Sequence, residues 1–233
     1  MQITAVENGK FGDMMCALSP EQWSTQTECT RWDIRAMAAH VVGSAASQTS
    51  PREFFRQRRG GKPICKELDT PFWWDGMNDF QVRERASLTT EQLIAEWDTV
   101  SAEALKSRTK MPRPIARLKL LNLPEPVGRQ PLSYLFDIGF TRDVWAHRID
   151  VARALGTEPD HDADHDARIL ADIVAEWSAT HGESFTLVLD GSAGGTFVQG
   201  AGGAEINISV VDFVRTLAER TTESGVLEHT LPL

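Results

Sequence analysis

The chain has 233 residues, 41% of them hydrophobic and 24% charged, enough for one large domain or two smaller ones with a proper core. Its formal net charge of −9 argues against a general nucleic-acid binder, which needs a concentrated basic face, so a small or neutral partner is expected. Cys16, Cys29 and Cys65 form no CxxC pair, which supports neither a disulfide framework nor a cysteine zinc site.

The amino terminus, MQITAVENGKFGDMM, lacks the uninterrupted apolar run of a signal peptide, and nowhere do eighteen apolar residues follow one another; a cytoplasmic protein with no membrane partner is expected. Ile3, Val6, Met14, Met15 and Leu18 recur at helical spacing, predicting a helix over 3–18. Ser19 and Gln22 have capping-box spacing with Pro20 between them, predicting a short second helix. Ile34, Met37, Val41 and Val42 make an apolar stripe from Trp32 to about Ser47, and His40 lies at its edge, able to face a bundle interior.

Residues 49–76 carry Pro51, Gly60, Gly61, Pro63 and Pro71 amid a basic run of Arg52, Arg56, Arg58, Arg59 and Lys62, and read as a long irregular connection. Thr89 and Gln92 repeat the capping-box spacing ahead of Leu93, Ile94, Trp97, Val100 and Leu105, which marks a helix to about Ser107. Pro112, Pro114, Pro124 and Pro126 then forbid a continuous helix. A fourth long helix is expected from about Pro131 to Leu155, stopped by Gly156 at positive φ, with Phe136, Phe140, Asp143 and His147 as its inward row.

The acidic run DHDADHD at 160–166 reads as a solvated hinge rather than a metal site for His161 and His165. Ile169, Leu170, Ile173, Val174 and Trp177 define a further helix; SFTLVLDG, GTFVQG and AEINISV read as three short strands; VVDFVRTLAER closes with a helix. The order is four helices, a linker helix, and a small three-stranded unit with its own helix, divided into domains at 1–158 and 159–233. The glycines of GSAGGTFVQGAGG are hairpin turns, since a phosphate loop's lysine and following helix are missing.

Asp143 and His147, four apart on one helix, project to the same side, and His40 from another helix completes a three-ligand metal site with one open position. Spacing alone leaves a second reading open, in which Asp143 and His147 form an exposed helix pair and His40 is a hydrogen-bonded core histidine. Burial in the row of Phe136 and Phe140 favours the metal, because a bare buried carboxylate is costly. Asp150, three residues on, is a candidate to orient His147, with Arg148 as a competing partner. Trp73, Trp74 and Trp145 read as core or interface, and Cys16, in an apolar helix, as an inert thiol.

The segments WDIRAMAAHVVG, MNDFQVRERASLTTEQLIAEW, TRDVWAHRIDVARALG, IVAEWSATHGESFTLVLDGSAGGTFVQG, VVDFVRTLAER and GVLEHTLPL resemble, in order and over nearly the whole chain, the mycothiol-dependent maleylpyruvate isomerase family, actinobacterial members of the DinB-like superfamily. The resemblance implies a mainly α fold, a DinB-like up-down four-helix bundle followed by a small α/β C-terminal domain. It implies His40, Asp143 and His147 as ligands of zinc or another divalent metal, with aspartate a permitted variant of the family's glutamate. Mycothiol is implied as thiol cosubstrate, for isomerisation or S-transfer on a small electrophilic or unsaturated acid, in a monomer or homodimer. Arg220 stands where the family's LSGR-type motif has its substrate-contacting arginine, but here Glu219 replaces the glycine. A rival expectation is a non-catalytic bundle that binds a small molecule or partner, its histidines structural.

Overall fold

The computed structural model describes residues 2–125, 127–221 and 224–231; Pro126 and the final Pro232 and Leu233 of GVLEHTLPL lie outside them. The chain forms two compact units, one of Met1–Leu118 with Pro131–Thr157, the other of Lys119–Gln130 with Glu158–Leu233.

In the first unit four helices, α1 (Gln2–Ala17), α2 (Ile34–Ser47), a long α5 (Thr90–Lys110) and α7 (Phe140–Ala154), form the bundle, α1 and α2 each packing against both α5 and α7. Phe11, Met15, Met37, Val42, Leu93 and Trp97 lie in its core. Local chemistry starts these helices where the sequence predicts. The Asp33 carboxylate accepts the Ala36 N–H at 2.7 Å ahead of α2, and Thr89 and Gln92 form a reciprocal capping box at 3.2 and 2.9 Å ahead of α5. Ser19 and Gln22 make the same pair of bonds, but the element they cap is one 3-10 turn, Gln22–Ser24.

The stretch 49–76 is not an irregular connection. It holds α3 (Pro51–Glu67), and α4 (Trp73–Glu84) follows, the two packing as a helical hairpin. Ser50 caps α3 by accepting the Glu53 N–H at 3.2 Å, with Pro51 at the first position, where its missing N–H costs nothing. The glycines that suggest a loop are contact points. A Cβ on Gly61 would lie 2.5 Å from the Met77 nitrogen, one on Gly76 2.3 Å from the Gly61 carbonyl oxygen, and one on Gly60 2.3 Å from the Phe80 ring. Close helix approach, rather than a turn, selects glycine there.

A four-residue helix α6 (Arg113–Ala116) follows α5. The fourth long helix does not begin as α-helix: a π-helical turn over Tyr134–Gly139 leads into α7. At its end Gly156 has φ +67, and the Gly156 and Thr157 N–H groups bond the Arg153 and Ala152 carbonyls at 2.9 Å each, a Schellman cap at the predicted residue.

The second unit includes a two-residue hairpin, β1 (Leu121–Asn122) against β2 (Arg129–Gln130), which the proline-rich sequence did not suggest. After it come α8 (His165–His181), β3 (Phe185–Asp190), β4 (Gly195–Gln199), β5 (Ala204–Ser209) and α9 (Val210–Leu217). The sheet order is β4-β3-β5, β3 antiparallel to β4 and parallel to β5. Phe185, Leu187 and Leu189 alternate inward on β3, and Trp177 of α8 sits 4.9 Å from the Phe185 ring and 5.3 Å from Phe213 of α9. The acidic run is not a solvated hinge: Asp162 accepts the N–H groups of Asp164 and His165 at 2.8 Å, Asp166 accepts that of Asp162, and His165 and Asp166 are buried.

Candidate metal centre

Three side chains from two bundle helices converge. His40 of α2 and His147 of α7 are buried, while Asp143, one turn before His147, keeps 24% of its side chain exposed. Oδ1 of Asp143 lies 3.4 Å from Nε2 of His40 and 3.5 Å from Nε2 of His147. The two imidazoles meet edge to face at 5.1 Å, and one donor atom from each of the three residues falls within 4.8 Å of the others. Tetrahedral zinc with bonds of about 2.0–2.1 Å holds its donors roughly 3.3–3.4 Å apart, so the two nitrogen–oxygen separations fit one small divalent ion. Both exceed the roughly 2.7–2.9 Å of a charge-assisted N–H···O bond.

Hydrogen bonding behind the cluster fixes which nitrogens face it. Gln57, fully buried, donates its amide to the Gly43 carbonyl at 3.0 Å and the Glu53 carboxylate at 2.9 Å. Its Oε1 therefore accepts, from Nε2 of Gln81 at 2.8 Å. Oε1 of Gln81 then faces Nδ1 of His40 at 2.8 Å, so that nitrogen must carry a proton. In the neutral ring, Nε2 is left with its lone pair toward Asp143. Nδ1 of His147 likewise donates to Asp150 Oδ2 at 3.0 Å. Asp150 thus orients His147, and Arg148 donates to Glu7 at 2.7 Å. Two imidazole nitrogens and a carboxylate arranged in this way could hold one cation between them.

Without an ion, a proton takes the place between His147 and Asp143. Burial pushes the Asp143 carboxyl up, but His40 and His147 hold it well below the usual carboxylate range. Burial pushes the His147 imidazolium down, yet its bonds to Asp143 and Asp150 outweigh that and raise it to about 9.

A second cluster, His181, Glu183 and His229 in the second unit, also brings three donors together, but its geometry opposes a metal. The Glu183 N–H donates to Nδ1 of His181 at 3.0 Å, which leaves that neutral ring's proton on Nε2. The His181 and His229 rings are stacked, 12° from parallel with centroids 4.9 Å apart, so their in-plane lone pairs do not converge.

The remaining predicted residues sort as follows. Arg220 lies in the second unit just past α9, partly buried, its Nη1 donating to the Ala218 carbonyl at 3.2 Å. Trp145 is fully buried; Trp73 and Trp74 are partly buried beside Phe54 and Phe72. Arg58 stacks over Trp73 at 4.9 Å, and Arg56 pairs with Glu53 and Glu84, so this basic run is a helix face rather than a loop. Cys16 is exposed on α1 and not set in an apolar surround. Sequence reasoning missed Gln57, Gln81, Ser44, whose Oγ lies 3.5 Å from Asp143 Oδ2, and Trp32, whose ring stacks on His40 at 5.0 Å. Only Trp32 carried a signal, its place at the head of the His40 segment.

The profile of the mycothiol maleylpyruvate isomerase N-terminal domain matches residues 7–152. Two solved structures share the fold. A mutant of the mycothiol-dependent maleylpyruvate isomerase aligns at TM-score 0.58 and 16% identity, over 94% of this chain and 88% of that one. A second crystal structure of the mycothiol-dependent maleylpyruvate isomerase aligns at 0.56 and 15%, over 96% and 89%. No curated protein matches. With the profile spanning well over half its length, the chain belongs to the mycothiol maleylpyruvate isomerase N-terminal domain family.

Proposed function

We propose that the protein is a metal-dependent enzyme that uses mycothiol as thiol cosubstrate, for cis-trans isomerisation or S-transfer on a small electrophilic or unsaturated acid. The observation that carries this reading is the donor set: two imidazoles, each committed through Nδ1 to an outer acceptor, aim Nε2 at one carboxylate at 3.4 and 3.5 Å. His40, Asp143 and His147 would hold the ion. When bound, zinc or another divalent metal supplies a Lewis acid that keeps a thiol deprotonated near neutral pH.

The chain's own groups do the rest. With three protein ligands the ion would keep room for the thiol as a further ligand. Gln81 and Asp150 keep the two imidazoles turned toward the ion. Trp32 covers His40 and narrows water access, and its buried indole N–H, without an acceptor among the described residues, is a donor available to a bound ligand. A thiolate added to a conjugated double bond leaves a rotatable single bond, and its departure restores the trans alkene; if it stays, the outcome is S-transfer. Arg220 is the proposed contact for a substrate carboxylate. No described helix is long and apolar enough to cross a membrane, and a cytoplasmic location suits a thiol cosubstrate.

Elemental analysis of the purified protein, with calorimetric titration of mycothiol into wild type and His147→Ala, tests the reading. About one zinc per chain, with thiol binding that disappears in the variant, is expected. Neither metal nor thiol binding would overturn it in favour of a non-catalytic bundle.

A further inference from the structure

Residues 225–231 lie back along the second unit. Val226, Leu227 and Leu231 are buried, the Trp177 indole N–H donates to the His229 carbonyl at 2.9 Å, and the Leu231 N–H bonds the Leu217 carbonyl at 3.1 Å. Thr230 donates to Glu219 at 3.1 Å, so the segment braces the turn that ends α9 and carries Arg220.

The His229 ring rests on His181, the last residue of α8, at 4.9 Å and 12° from parallel. Among the described residues, the titratable groups facing His181 are His229 and Glu183; α8 and β3 present it with the rings of Trp177 and Phe185, at 4.6 and 5.8 Å. Glu183 is already bonded to His229, whose Nε2 donates to the carboxylate at 3.0 Å. One carboxylate balances one imidazolium, so a second charge on the stacked ring stands uncompensated.

His181 is also bonded in a way that only its neutral ring allows. Nδ1 accepts the Glu183 N–H at 3.0 Å, which puts the ring proton on Nε2, a buried atom with no acceptor among the described residues. Protonation places a hydrogen on Nδ1 as well. The bond from the Glu183 N–H is then lost, and Nε2 gains nothing in exchange. Burial and the neighbouring His229 accordingly hold the His181 imidazolium below the ordinary imidazole value, against the pull of Glu183.

We propose that His181 is the pin of an acid-sensitive latch: its neutral ring keeps His229 and the residues after it docked on the Arg220 turn, and its protonation raises the population of a form in which they open. The buried Val226 and Leu227 anchor the start of the segment, which confines the opening to His229 and beyond. A group disfavoured as a cation in the closed form contributes fully above the ordinary imidazole pKa of about 6.5, and that contribution is lost as pH falls below it. Any effect of the latch on a substrate held by Arg220 rests on the function proposed above; the latch itself does not.

Hydrogen exchange of the intact protein, followed by NMR from about pH 7 to about pH 5, tests it through the Trp177 indole N–H and the Leu231 amide. Corrected for the intrinsic pH dependence of exchange, protection of both is expected to fall about tenfold or more, while the β3 amides keep theirs. His181→Asn, whose side-chain oxygen can accept the Glu183 N–H but cannot gain a proton, is expected to hold protection level across the range. Should that variant fail to fold, nitrogen-15 shifts of the wild-type histidine rings decide, with the His181 proton expected on Nε2 at about pH 7. Protection that stays level in wild type, a parallel fall in β3, the same fall in a folded His181→Asn, or a His181 proton on Nδ1 at neutral pH overturns the latch. None of these readings involves metal or thiol, so their outcome is distinct from that of the proposed function.

Discussion

Nε2 of His40 and Oδ1 of Asp143 stand 3.4 Å apart, and the bonds behind His40 make both of them acceptors in the neutral state. The arrangement holds because a chain of buried amides, Gln57 to Gln81 to His40, is anchored at its far end by the Glu53 carboxylate. Each link fixes the orientation of the next, so the ring nitrogen facing Asp143 is decided about three side chains away.

Gln81→Leu should therefore weaken metal binding by about 10–100-fold, the usual loss for an orienting partner of a ligating histidine. It also strands the buried Nδ1–H of His40, at a cost of about 1–3 kcal/mol. Competition against a chelator of known affinity reads the first effect and chemical denaturation the second. Unchanged affinity in a folded variant would show that the amide chain serves packing alone.

The pH dependence follows from His147. Its imidazolium is raised to about 9 in the folded, metal-free protein, against about 6.5 when unfolded. A group raised on folding stabilises fully below its unfolded pKa and loses that contribution as pH climbs through the folded one. Metal-free protein should accordingly lose about 3 kcal/mol between about pH 6.5 and 9.5. Asp143, held low, acts oppositely, stabilising above the unfolded carboxylate pKa near 4 and losing this as pH falls toward the folded value. Metal binding must displace the His147 proton, so apparent affinity should rise about tenfold per pH unit up to about pH 9 and then level. Thermal unfolding of metal-free protein across that range, and metal titrations at three pH values, check both slopes.

Gly76→Ala should destabilise the first unit by about 1–3 kcal/mol, since its Cβ would fall 2.3 Å from the backbone oxygen of Gly61 and 2.4 Å from Cys65 Sγ. Gly9→Ala, where nothing lies within 4 Å, should instead be neutral or stabilise α1 by up to about 1 kcal/mol. Urea midpoints of the two variants decide it.

These glycines also explain what the sequence hides. Apolar periodicity marked α1, α2, α5 and α7 because each turns one stripe to a shared core. In α3, by contrast, the buried positions are Gln57, Gly61 and Ile64, an amide of the His40 chain, a glycine at the backbone contact with α4, and one apolar residue, which no hydrophobic template detects. The candidate site was half legible for a related reason. Two candidate ligands one turn apart on a helix leave a spacing in sequence, whereas Gln81 and Gln57 are ordinary amides until the fold places them 2.8 Å from their partners. Likewise the run of aspartates at 160–166 offered only charge, and its capping bonds exist only once α8 begins at His165.

Glu219 gives the last prediction. Its φ is +58, in the left-handed region where a side chain costs about 1 kcal/mol and glycine does not. Its N–H bonds the Thr216 carbonyl at 3.1 Å, and that of Arg220 bonds the Arg215 carbonyl at 2.8 Å, so the Schellman geometry that glycine normally supplies is kept without it. The bond from Thr230 Oγ1 to the Glu219 carboxylate at 3.1 Å is exposed and offsets little of the strain. Glu219→Gly should thus stabilise the second unit by about 0.5–1 kcal/mol, whereas Glu219→Val, β-branched in the same conformation, should destabilise it. A denaturation series over Glu, Gly, Ala and Val at this position tests the argument: an order that follows side-chain polarity instead of tolerance for positive φ would mean that the Thr230 bond, not the backbone, decides which residue stands there.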